Sequence, residues 1–113
     1  MSIHHLRHPD MPDPMAIQRI ADRLRDRMNA VRVILYGSVP RGEATLDSDI
    51  DLLIIAATNE LGYQRMATAR AAIRDLSFGL PISPLVLTPQ EWAAGIHRRD
   101  AFLREIERTG VEL

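Results

Sequence analysis

The chain has 113 residues, which at roughly 100 to 200 residues per domain leaves room for one domain with one modest core. Its 46% hydrophobic and 26% charged residues are ordinary globular composition, and no apolar run approaches the roughly 18 residues that would span a bilayer, so the chain reads as soluble, without a membrane partner. No cysteine is present, which excludes disulfides, thiolate metal sites and cysteine nucleophiles, and the N-terminus lacks an apolar signal core, so a cytoplasmic location is expected. All 14 basic residues are arginine, which removes catalytic-lysine chemistry. A formal charge of −1 argues against nucleic acid as a partner.

Residues 1–14, with His4, His5, His8, Pro9, Pro12 and Pro14, show no apolar periodicity and read as an N-terminal leader to a domain over residues 15–113. The three histidines lack a rigid supporting shell and read as solvated. From Pro14, the apolar positions Ile17, Ile20, Ala21, Leu24 and Met28 recur at three- and four-residue spacing, which predicts an amphipathic helix. Its opposite face carries arginines and aspartates in mixed order, a pattern of solvated pairing. Val31 to Tyr36 is β-branched and aromatic and ends at Gly37, as a short strand does.

A loop follows to Ser48. Ile50 to Ala56 is then almost unbroken apolar sequence, which predicts a central strand covered on both faces. Met66, Ala69, Ala72, Ile73 and Leu76 form a second helical stripe ended by Gly79 and Pro81. Ile82 to Leu87 reads as a third strand, and Pro84, which cannot donate to a ladder, argues for an edge position or an interrupted start. Thr88, Pro89 and Glu91 supply an N-cap, a first-turn proline and a capping-box acid for a last helix running through Trp92, Ile96, Phe102, Leu103 and Ile106, with Gly95 as its expected break point. The order helix, strand, strand, helix, strand, helix predicts a mixed α/β or α+β layered domain.

One constellation carries chemistry. Gly37-Ser38 is followed after ten residues by Asp49-Ile50-Asp51, which leads directly into the apolar strand. Residues two apart on a strand share a face, so Asp49 and Asp51 present carboxylates side by side with Cα atoms roughly 6 to 7 Å apart. Two hard oxygen ligands so placed suit magnesium, which takes a few carboxylates and completes its shell with water and substrate phosphate. Gly37 permits close approach of backbone to a phosphate, Ser38 adds a hydroxyl and an N–H, and Arg41 offers cationic donors. A plain turn with solvated acids is the ordinary reading of a lone Gly-Ser or a lone Asp-x-Asp. Two acids at the mouth of an otherwise apolar strand argue for a cation, because half-buried carboxylates are costly alone. Tyr36 beside the turn can stack on a base, although packing is the commoner role of such an aromatic.

The stretch Leu35-Tyr36-Gly37-Ser38-Val39-Pro40-Arg41-Gly42-Glu43-Ala44, with Ser48-Asp49-Ile50-Asp51-Leu52-Leu53, resembles the minimal nucleotidyltransferases of the DNA polymerase β superfamily, along most of residues 15 to 109. That resemblance implies a nucleotidyltransferase core with a small mixed sheet of three to four strands flanked by helices. It implies transfer of a nucleoside monophosphate from a triphosphate, with ATP the expected substrate, to an acceptor hydroxyl. Gly37, Ser38 and Arg41 would bind the nucleotide, and Asp49 and Asp51 would be the catalytic carboxylates holding two Mg2+ ions. In that family a third carboxylate on a later strand completes the site, and here Ser83 stands where it is expected. Three readings follow: Glu91 or Glu43 substitutes, a partner supplies the acid, or the domain binds nucleotide without turnover. Small members of the family resemble antitoxins paired with a helical toxin partner, which they neutralise by nucleotidylation or by binding.

Overall fold

The computed structural model describes residues 12–44 and 48–113, so the leader histidines lie outside the described residues. The elements run α1 (Pro14–Met28), β1 (Arg32–Tyr36), β2 (Ile50–Ile55), α2 (Gly62–Ala72), β3 (Ile82–Leu87), α3 (Pro89–His97), α4 (Ala101–Thr109) and β4 (Val111–Glu112). Helix α1 starts where the sequence places it: the Asp13 side chain accepts a hydrogen bond from the Met15 N–H at 2.9 Å, and Pro14 occupies the first turn, where no N–H is required. It ends at Asn29, which takes the left-handed conformation at φ 52° that asparagine tolerates.

The four strands form one mixed sheet in the order β3-β2-β1-β4. Strand β1 pairs antiparallel with β2 and with β4, and β2 pairs parallel with β3 across the α2 crossover. The expected central strand is therefore interior, and Pro84 lies on an edge strand. Alternate β2 residues point to opposite faces. Ile50, Leu52 and Ile54 join Ile17, Ile20, Leu24, Ala69 and Ile73 in one core beneath α1 and α2. Leu53 and Ile55 join Ile34, Trp92, Leu103 and Ile106 in a second core beneath α3 and α4. Burial of β2 on both sides explains its apolar run, and truncating a fully buried leucine or isoleucine such as Leu52 or Ile54 to alanine would cost roughly 2–5 kcal/mol. No helix among the described residues is long and apolar enough to cross a membrane.

Three expectations need correction. The last helix is two helices, and the break falls at Arg98–Asp100 rather than at Gly95. Arg99 adopts φ 62° there, and the Asp100 side chain caps α4 by accepting from the Leu103 N–H at 3.0 Å. Gly95 stays helical and serves packing, since a Cβ on it would collide with Cδ1 of Leu103. The second helix begins at Gly62, and Met66 is not part of the packed stripe; it is exposed, while Arg65 lies along the sheet and donates to the Val86 carbonyl at 3.4 Å. Strand β4 has no counterpart in the sequence reading, because two residues are too short to show a period. Its Val111 joins the core and its Glu112 pairs with Arg32 at 2.6 Å.

Candidate active site

The site sits at one end of the sheet, where β1 leaves and β2 enters. Strand register puts Tyr36 opposite Asp51 and Asp51 opposite Ser83, making a row across β1, β2 and β3 at the usual spacing of about 4.8 Å between strands. Alternation places Asp51 on the same face as Leu53 and Ile55, the face covered by α3 and α4. Asp49 immediately precedes the strand on the exposed rim.

Gly37 closes β1 at φ +84°, a conformation that an L side chain rarely adopts, and a Cβ added to it would collide with Oδ2 of Asp51. The glycine thus does two things at once: it turns the chain and it leaves the Asp51 carboxylate open. The following turn is closed by the Glu43 N–H donating to the Ser38 carbonyl at 2.9 Å and the Gly42 N–H donating to the Val39 carbonyl at 3.2 Å, while Val39 is buried as its anchor. Arg41 projects from this turn. Its Nε lies 3.5 Å from Glu43 Oε1 on an exposed surface, a contact that solvent screens and an anionic ligand can displace.

Electrostatics at the row are unbalanced. Burial pushes the Asp51 carboxyl above the ordinary carboxylate range, the neighbouring Asp49 pushes it further, and Arg41 only partly opposes them. Burial, with Asp51 alongside, pushes the Tyr36 phenol up to about 12. A partly buried carboxylate beside a second one, with no basic side chain ion-paired to either among the described residues, is what a cation would relieve. Among the described residues no group of three or more His, Cys, Asp or Glu side chains surrounds a metal position. A pair of carboxylates beside an open glycine turn nevertheless fits magnesium, whose remaining ligands would be water and substrate phosphate.

The expected site residues Gly37, Arg41 and Asp51 line one cleft, with Ser38 next in the turn and Asp49 next to the strand. Ser83 lies beside Asp51, the neighbouring position in the row across β2 and β3. Glu91 is not that acid. It belongs to the opposite end of β3, where it accepts from the Thr88 N–H at 2.8 Å and from Arg65 Nη1 at 2.7 Å, and these two contacts hold its carboxyl below the usual range. Glu43 stays near the turn but faces Arg41 on an exposed surface. The cleft also holds residues that no motif pointed to: Phe102, Glu105, Ile106 and Thr109, all from α4. The only signal for them was the amphipathic spacing of that helix, which marks a packed face and not a ligand-facing one.

A glycine turn, a carboxylate pair at the start of the adjacent strand and a mixed sheet between helix pairs are consistent with a nucleotidyltransferase core. The chain belongs to the nucleotidyltransferase domain family, whose model matches residues 17–101. It is also 30% identical over 95 residues to a Methanocaldococcus jannaschii protein bearing the name putative protein adenylyltransferase, a match that covers 83% of this chain and 87% of that protein.

Proposed function

We propose that the protein transfers AMP from ATP to a hydroxyl group on a partner protein in a magnesium-dependent reaction. The observation that carries this reading is the junction of Gly37 with Asp51: an open glycine turn abuts a carboxylate that Arg41 only partly compensates. Family membership supports nucleotidyl transfer, and the name of the Methanocaldococcus relative supports a protein acceptor.

In this reading the Ser38 hydroxyl and the N–H groups of the 37–42 turn bind the β- and γ-phosphates, and Arg41 exchanges Glu43 for the same phosphates. Asp49 and Asp51 hold two magnesium ions, which when bound neutralise the charge that builds on the phosphorus and the departing oxygen. The acceptor oxygen forms a bond to the α-phosphorus, the bond from that phosphorus to the bridging oxygen of the β-phosphate breaks, and pyrophosphate leaves. The acceptor proton goes to solvent, since Ser83 is no base near neutral pH. This makes transfer slower than three carboxylates would allow. The partner fits the helical toxin of a toxin and antitoxin pair, with this chain as the antitoxin.

The test is incubation of the purified protein with magnesium and each α-labelled nucleoside triphosphate, with and without the co-purifying partner. Label on protein that vanishes in Asp49→Asn is expected. A second reading, favoured by Ser83, is a binding module that occupies its partner without turnover. Nucleotide binding with no label and no pyrophosphate, even with the partner present, would select it.

A further inference from the structure

We propose that the α4 side of the cleft is the nucleoside subsite, with Phe102 stacking on the base and Glu105 accepting hydrogen bonds from the ribose hydroxyls. This inference rests on the nucleotidyl-transfer reading and adds to it the wall that recognises the nucleoside. The cleft is about 230 Å³, below the roughly 300–1,000 Å³ of sites that enclose a whole drug-sized ligand, so it takes part of a nucleotide and leaves the rest beyond its mouth.

Its two sides differ in chemistry. Tyr36, Gly37, Arg41 and Asp51 form the side next to the turn, with a guanidinium and a carboxylate, while Phe102, Ile106, Glu105 and Thr109 form an apolar wall with an acid and a hydroxyl. That arrangement suits a ligand with phosphate, met by Arg41 and a cation on Asp51, at one end and a hydroxyl-bearing sugar with an aromatic base at the other. Phe102 is 52% exposed although its neighbours Leu103 and Ile106 are buried. It packs perpendicular to Tyr36, with ring centroids 5.7 Å apart and planes at 81°, and its exposure leaves ring area for a base. Arg108 Nη2 holds Oε2 of Glu105 at 2.6 Å, orienting the carboxylate, while no partner meets Oε1 among the described residues. The wall is rigidly mounted, because Leu103 and Ile106 anchor α4 in the core and Asp100 caps its start.

Calorimetric titration with two probes separates the subsite from the turn: ATP, and inorganic tripolyphosphate, which has no nucleoside, each with magnesium. Phe102→Ala should weaken ATP about tenfold or more and leave tripolyphosphate unchanged, with Phe102→Trp restoring ATP. Glu105→Ala should reduce the preference for ATP over 2′- and 3′-deoxy ATP about tenfold while preserving tripolyphosphate binding. Equal loss of both probes would assign Phe102 to structure, and a change confined to the KM of the protein acceptor would assign the wall to the acceptor; either overturns the subsite alone. A native chain that binds neither probe overturns the nucleotidyl-transfer reading with it.

Discussion

The two ends of the β2–β3 pair are built in opposite ways. At the far end, the Thr88 hydroxyl accepts from the Glu91 N–H at 3.1 Å, the Glu91 carboxylate accepts from the Thr88 N–H, and Arg65 pairs with that carboxylate while donating to the Glu60 carbonyl at 2.9 Å. Each charge there has a partner. At the near end, Asp49 and Asp51 repel one another, Gly37 withholds the side chain that would cover them, and the third position of the row is a serine. Acid placed where it is saturated stabilises the fold, and acid placed where it is unsatisfied is left for a ligand. The contrast also explains why a count of glutamates near β3 in sequence is a poor guide to the missing carboxylate.

The comparison can be broken most severely at the carboxylate pair. Asp49→Asn or Asp51→Asn should lower nucleotidyl transfer by roughly 10²–10³-fold or more, measured as label on the acceptor. The same change at Asp51 should raise the stability of the ligand-free chain, by at most about 1 kcal/mol in urea unfolding. Its sign follows from the raised carboxyl: folding favours the protonated form, so the contribution of Asp51 to stability is present at acid pH and is lost as pH rises through its raised folded-state value. The advantage of Asp51→Asn over the native chain should therefore be small in acid and grow toward neutral pH.

Gly37→Ala attacks the same end through the backbone. The positive φ and the clash with Asp51 should together cost about 1–3 kcal/mol and remove tripolyphosphate binding, read by thermal unfolding and titration on the same sample. Ser83→Asp tests the row in the other direction: a third carboxylate beside Asp51 should raise transfer about tenfold or more in the presence of magnesium, and an unchanged rate would count against the deficit at this position. The smallest effect belongs to the saturated end. Glu91→Ala should cost about 1 kcal/mol through loss of the capping box and leave nucleotide binding untouched. Because its partners hold the Glu91 carboxyl low, that stability difference is present above the ordinary carboxylate range and should fade as pH falls through it.

Much of this molecule is legible without coordinates. Pro14 with the stripe from Ile17 to Met28, the apolar run from Ile50, the proline that sends β3 to an edge and the Thr88–Glu91 box are local signals, each readable because one element's period or cap chemistry is contained in a few neighbouring residues. The Gly37-Ser38 and Asp49-x-Asp51 spacing is legible for the same reason: a turn and a strand end, joined by one loop. What stayed hidden depends on contacts between distant segments. The break at Arg99 answers to the way α3 and α4 pack over different strands, and β4 exists only because the chain after Gly110 meets the open edge of β1.

The sequence by itself determined strands β1, β2 and β3, the Gly37 turn and the carboxylate pair, because backbone sterics and side-chain alternation are local rules. Only the tertiary structure decided that Ser83 stands beside Asp51, that Glu91 is consumed at the opposite end, and that Phe102 and Glu105 close the cleft over Gly37. Strand register and helix docking are settled by the burial of two apolar cores at once, and no window along the chain contains that information.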